Sequence, residues 1–366
     1  MAFTLFILGW IFVLGLIIGS FLNVVILRTV SGESIVFPAS KCPKCQTPLK
    51  WYHNIPVFSY LFLRGKCAFC KEHISIQYPI VELLTGVLFL ALFLKICKPI
   101  DPLFGLSTMM PIGWFQILVY IFALIVTGLF ISIAGTDFIE KKVADAHTIP
   151  LILMGLVFSF LYTCTTFWIY YKELGELPKI SLEFVLTSPL SFSIIAGVVG
   201  FVVMELLARV GIPLVGTRVF GEGDSYIAAG LGTVFGGLLS TVKLSHNPLP
   251  AVCIILLILA LSCIIQLVIT LPMFMYKLAK QRNWMTFGSI CAFIIYTAGY
   301  LFAQHLKWLD NSVAYCASTI VLVAIGIFVC REILLGLKNK DSEGLYLPFG
   351  PAMVIAGLLT FFMLNI

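Results

Sequence analysis

The sequence predicts an all-α integral membrane protein, a polytopic helical bundle of about ten transmembrane helices with a small cytoplasmic zinc-knuckle domain between the first two. Three observations predict it. The chain is 60% hydrophobic and 11% charged, with a mean hydropathy of +1.07. Apolar runs near 20 residues, each long enough to cross a bilayer, recur along its whole length. Between the first two of them, one long polar interval carries paired cysteines.

The apolar runs fall at 3–27, 79–96, 112–134, 148–170, 190–210, 225–242, 249–276, 285–306, 312–330 and 347–366. The sixth is short and glycine-rich and reads as a tilted or partly buried helix. No Lys or Arg precedes Arg28, so the first run lacks the charged leading region of a signal peptide and is expected to be retained. With the N-terminus external, 17 of the 23 Lys and Arg fall on the cytoplasmic side, and Lys95, Lys98, Lys172, Lys179, Lys243 and Lys307 stay outside. The positive-inside bias favours that orientation over its inverse. The net charge of +6 follows from loops lying beside an anionic leaflet and calls for no nucleic-acid partner.

The first run closes on Gly19, Ser20 and Asn23 before Arg28. Small residues there suit a packing seam, and a polar amide near lipid must find a partner. The interval 29–78 follows. It holds Cys42-Pro43-Lys44-Cys45 and, after a spacer of 21 residues, Cys67-Ala68-Phe69-Cys70. Two such knuckles at this separation suit a structural zinc ion held by Cys42, Cys45, Cys67 and Cys70. The competing reading, a pair of disulfides, is disfavoured on a reducing cytoplasmic face. The remaining cysteines, Cys97, Cys164, Cys253, Cys263, Cys291, Cys316 and Cys330, lie in or beside apolar runs and read as small packing residues.

Pro79 suits the first turn of the second run, and Glu82 reads as an acid at the positive end of that helix. Glu205 reads as paired with Arg209 one turn on. Asp137 ends the third run, in a stretch that also carries Glu140 and Asp145. His147 reads as a capping or solvent-facing residue. Asp224 follows Gly221-Glu222-Gly223 and opens the sixth run; Gly221 and Gly223 allow a tight turn and a close approach. Alone, this stretch reads as a glycine-rich loop ending in a helix-capping aspartate. A second aspartate, 87 positions away but on the same face of the membrane, changes the reading. An acid beside lipid is costly and marks a functional site. Two neighbouring carboxyls do not both ionise easily, so one holds a proton while the other is a base. That division is what water-mediated peptide hydrolysis requires.

Taken together, these stretches resemble the bacterial type 4 prepilin peptidases, relatives of other G-x-G-D intramembrane aspartic proteases. The resemblance runs through 19–28, the four cysteines, 64–67, 77–85, 137–145, 220–224 and 347–351 in family order. It implies that Asp137 and Asp224 are catalytic, with Gly221, Gly223 and Asp145 supporting them. The implied substrates are prepilins or pseudopilins of type IV pili and type II secretion, cut after a glycine at the cytoplasmic face of the bacterial inner membrane. It also implies methylation of the new N-terminus with S-adenosylmethionine, for which Gly65, Lys66 and Glu82 are the candidate cofactor contacts.

Three departures stand out. Ala144 replaces a proline, Tyr226 stands where the family commonly has lysine, and the two spans 285–330 are additional. The expected organisation is 1–28 first helix, 29–78 tetracysteine segment, 79–276 protease core, 277–346 two-helix insertion and 347–366 final helix. A reading of another class, a non-catalytic assembly factor or transporter with a zinc-binding loop, would place acids near the membrane midplane; here they lie at a face.

Overall fold

Away from water, every backbone N–H and C=O must be satisfied within its own segment, which is why an apolar run that crosses a bilayer is helical. The computed structural model describes residues 2–37, 39–97, 114–140, 145–174, 185–215, 220–242, 249–280, 284–305, 318, 320–321 and 348–364. Its helices are α1 (Ala2–Ser31), a short α2 (Phe58–Phe62), α3 (Gln77–Cys97), α4 (Trp114–Glu140), α5 (Asp145–Leu174), α6 (Pro189–Val215), α7 (Glu222–Val242), α8 (Leu249–Lys280), α9 (Trp284–His305) and α10 (Gly350–Met363). No strand forms among the described residues; two isolated bridges, Lys41 with Pro48 and Lys66 with His73, close the cysteine knuckles.

Among the described residues, six helices are long and apolar enough to cross a membrane: Leu5–Ser31, Gln77–Cys97, Phe115–Glu140, Asp145–Trp168, Pro189–Arg209 and Leu249–Pro272. The expected sixth span is α7, whose residues from Ile227 to Leu238 are all buried. A helix walled in by protein has no need of lipid-like side chains, and α7 uses glycine, serine and threonine instead. The expected eighth and tenth spans correspond to α9 and the 14-residue α10. The expected ninth, 312–330, lies outside the described residues except at 318, 320 and 321, as do Ala144, Arg218 and Leu347.

The chain divides into two units. The first holds Met1–Glu205, Gly221–Cys263 and Pro348–Ile366. Within it, α1 pairs with α3, and α4 packs against both as well as against α5 and α10. Leu22, Ile26 and Ile131 form one buried cluster there, with Ile18, Val81 and Leu88 around it. Gly19 sets the closeness of the α1–α3 seam: a Cβ there would lie 2.7 Å from the Glu82 Cα. The opposite faces of these helices, such as Phe6, Trp10, Val13, Ile17 and Phe21 on α1, are exposed and apolar at helical spacing, as lipid contact requires. Helix α7 lies against α5, and the Ser193 hydroxyl of α6 donates to the Thr233 carbonyl at 2.6 Å.

The second unit holds Leu206–Phe220 and Ile264–Leu347. Here the end of α8 packs on α9 around buried Leu278 and Ile290.

Candidate active site and metal centre

Asp137 stands in the last turn of α4, where the negative end of the helix dipole is a poor place for a carboxylate. The first residue of α10 compensates: the Gly350 N–H donates to Asp137 Oδ2 at 2.9 Å, so the positive end of one helix meets the acid at the negative end of another. Only glycine fits. A Cβ at 350 would sit 2.5 Å from Asp137 Oδ2 and 3.2 Å from Ile227 Cδ1.

Ile227 belongs to the first turns of α7, three residues after Asp224, so the start of α10 is wedged between the two aspartates' helices. Asp224 is the third residue of α7, and its Oδ2 accepts the Gly221 N–H at 3.0 Å. This is the acid half of a capping box, in which a side chain inside the helix reaches back to the residue that precedes it. Both aspartates are buried. The adjacent Ser225 hydroxyl donates to Glu205 Oε2 at 3.0 Å, a partner for Glu205 that the sequence reading did not name. Tyr226 packs its ring 5.6 Å from Phe201 of α6.

Asp145 opens α5 and is exposed. His147, expected to cap or to face solvent, is instead buried, and its Nε2 has no hydrogen-bond partner.

The four cysteines converge although 21 residues separate their pairs. Their sulfurs all lie within 4.8 Å of one another, and Cys42 Sγ is 3.9 Å from Cys70 Sγ. Four thiolates around an ion at ~2.3 Å would stand ~3.8 Å apart, so the set fits a tetrahedral zinc-type ion. None forms a disulfide. The knuckles repeat each other: the Cys42 N–H donates to the Thr47 carbonyl and the Gln46 N–H to the Cys42 carbonyl, as the Cys67 N–H does to Glu72 and the Lys71 N–H to Cys67. Gln46 and Lys71, each four residues past the first cysteine, take φ of 57° and 61°. The hydroxyl and backbone of Thr47 draw the Cys45 thiol down to about 6. The Glu72 backbone also draws on Cys70, but burial and the neighbouring thiols of Cys67, Cys45 and Cys42 push it up to about 11. Four such groups together favour a bound cation over four separate charges.

The expected cofactor contacts have other partners. Glu82 is buried in the α1–α3 seam, where its Oε2 accepts the Val57 N–H at 2.7 Å. The Gly65 N–H donates to Tyr60, its carbonyl accepts from Ile74, and Lys66 is exposed. Asn23 finds the partner it needs in the Tyr78 carbonyl at 3.1 Å.

Residues 13–96, which span α1, the tetracysteine segment and α3, match the family model of the Bacterial Peptidase A24 N-terminal domain. Along most of its length the chain is similar to the prepilin leader peptidase/N-methyltransferase of Neisseria gonorrhoeae: 32% identical over 323 residues, covering 81% of this chain and 92% of the relative. The chain belongs to the prepilin leader peptidase/N-methyltransferase family. Two further family members are the Myxococcus xanthus protein, 33% identical over 223 residues (61% of this chain, 54% of the relative), and that of Klebsiella pneumoniae, 31% identical over 235 residues (62% and 85%). No solved structure matches. Family membership gives the buried aspartates and the cysteine cluster a common context that neither supplies alone.

Proposed function

We propose that this chain is a membrane aspartic endopeptidase that removes the leader from type IV prepilins or pseudopilins after a glycine, at the cytoplasmic face of the bacterial inner membrane. What supports the reading is that two buried aspartates border one helix start: Asp137 accepts from Gly350 at the head of α10, and Ile227, one turn after Asp224, lies beside the same glycine, in a chain of this family. In each carboxyl a backbone N–H holds Oδ2, from Gly350 or Gly221, and Oδ1 is left for chemistry. The ionised aspartate takes a proton from water as the water oxygen attacks the scissile carbonyl carbon. The protonated aspartate gives its hydrogen to the developing oxyanion. Collapse breaks the C–N bond, and the proton taken from water passes to the leaving amine. The transporter reading lacks a counterpart among the relatives above.

Zinc held by Cys42, Cys45, Cys67 and Cys70 would be structural, since four protein thiolates leave no open position for substrate. The relatives' second name suggests N-methylation of the new terminus. S-adenosylmethionine would supply the methyl group, and no step is assigned here to Gly65, Lys66 or Glu82.

The test uses the purified parent chain, Asp137→Asn and Asp224→Asn with a leader-bearing prepilin. Each variant should lose cleavage by roughly 10²–10⁴-fold. A parent that leaves the substrate whole, or a variant that cuts like the parent, refutes the reading. The mass of the product N-terminus reports the cut site and any added methyl together.

A further inference from the structure

Helix α2 is built inside out. Phe58, Leu61 and Phe62 share one face at helical spacing, and they are 56%, 63% and 84% exposed. The other side turns inward, where the Tyr60 carbonyl accepts the Gly65 N–H at 2.9 Å and its hydroxyl lies against Gly65. Before α2, the turn Trp51–Asn54 presents Trp51, 80% exposed, at the end of an aromatic run. Trp51 meets Tyr52 at 5.6 Å, Tyr52 meets His53 at 4.5 Å and His53 meets Phe69 at 5.4 Å. In water, an apolar face of this kind would be an open invitation to association.

Its height along the membrane helices says what covers it. Val57, the residue before α2, is fastened at 2.7 Å to Glu82. Glu82 is five residues inside α3, about 7 Å past Gln77 at 1.5 Å per residue. From Gln77, which opens α3, to Lys95 in its last turn is about 27 Å, close to the ~30 Å of a hydrocarbon core. Gln77 therefore marks a membrane boundary, and α2 begins at or just inside it. In the interval that carries this face, Lys41, Lys44, Lys50, Arg64, Lys66 and Lys71 are exposed, against the acids Glu33 and Glu72. Val57 itself holds φ 60°, ψ −50°, a strained conformation for a β-branched residue, maintained where its N–H meets the Glu82 carboxylate.

We propose that α2 and the Trp51 turn form a membrane-interface anchor. Phe58, Leu61, Phe62 and Trp51 enter the boundary between headgroups and acyl chains of the leaflet in which α3 begins, and the Lys and Arg of the same interval engage anionic phospholipid headgroups. Aromatic residues are at home at that level, and each cation near an anionic surface adds to the attraction. The anchor fixes the cysteine cluster at a set height above the bilayer and is independent of any catalytic role for the aspartates.

The test places the photoreactive residue p-benzoylphenylalanine at Phe62, at Leu61 or, as a control, at exposed Glu72, in the full chain reconstituted into phosphatidylglycerol–phosphatidylethanolamine vesicles. After irradiation, peptide masses identify the partner. Phospholipid adducts at Phe62 and Leu61 should exceed those at Glu72 by at least about fivefold and fall by about threefold or more in pure phosphatidylcholine vesicles. Adducts to another protein or to a second copy of the chain, adducts to nothing, or equal lipid labelling at Glu72 would each overturn the anchor. Labelling indifferent to lipid charge would overturn the headgroup contact. Phe62 and Leu61 are exposed, so the variants should keep the parent's thermal unfolding midpoint, and each serves as a check on the other.

Discussion

Gly350 has no ionisable or nucleophilic group, yet it touches the candidate chemistry more directly than any neighbour of Asp137 that the motif names. Its N–H supplies the hydrogen bond that offsets the poor electrostatic position of Asp137 at a helix C-terminus, and its missing Cβ leaves room for Oδ2. Gly350→Ala should therefore push the carboxyl from its place, lowering the cleavage rate by roughly 10²-fold in turnover more than in substrate affinity, as steady-state kinetics would show. Unchanged turnover would remove Gly350 from the site. Glu82 makes the opposite case, an acid that the resemblance offers as a cofactor contact and that the seam uses to hold Val57. Glu82→Ala leaves that N–H without its charged partner, and should destabilise the 55–63 segment by about 1.5–3 kcal/mol, read as faster amide exchange there.

At the scale of elements, helix pairs are decided by how closely backbones approach. Gly19 in α1 faces the Glu82 backbone of α3, and rigid backbone cannot move aside as a side-chain tip can. Gly19→Val should drive the two helices apart and cost about 1–3 kcal/mol, measurable as a lower thermal midpoint in detergent. A midpoint equal to the parent's would mean that the seam is looser than these contacts require. Helix α7 shows why hydropathy alone underrates some membrane elements. Its glycines and hydroxyls, which weaken its span signal, are what allow α5 to pack against it, and its buried residues never meet lipid. The knuckles repeat in the same way at backbone level. Gln46 and Lys71 share a left-handed conformation that no side-chain pattern announces, because the constraint comes from closing the turn around the first cysteine.

For the whole molecule, the thiolate cluster and the membrane helices are joined through the α1–α3 seam, where Asn23 holds the Tyr78 carbonyl and Glu82 holds Val57. Removing the ion should unfold the 39–74 interval and leave the apolar helices formed. Metal analysis of Cys42→Ser and Cys67→Ser should show zinc lost, with helical circular dichroism nearly unchanged; retained zinc would remove the cysteines from that role.

Most of the fold class was legible in the sequence, because long apolar runs have few ways to satisfy a backbone in lipid. The cysteine set was legible for a related reason: two knuckles at zinc spacing have few other uses. Asp137 and Asp224 were also legible, since carboxylates beside lipid are costly enough to stand out. The sequence by itself therefore determined the helices, and it singled out the four cysteines and the two acids as candidates, each through a local rule of spacing or solvation. Only the tertiary structure decided that Gly350 lies against Asp137, that Glu82 holds Val57, that His147 is buried and that the apolar side of α2 faces outward. Those facts depend on which backbones come close across long stretches of chain, and a string of residue types carries no distances.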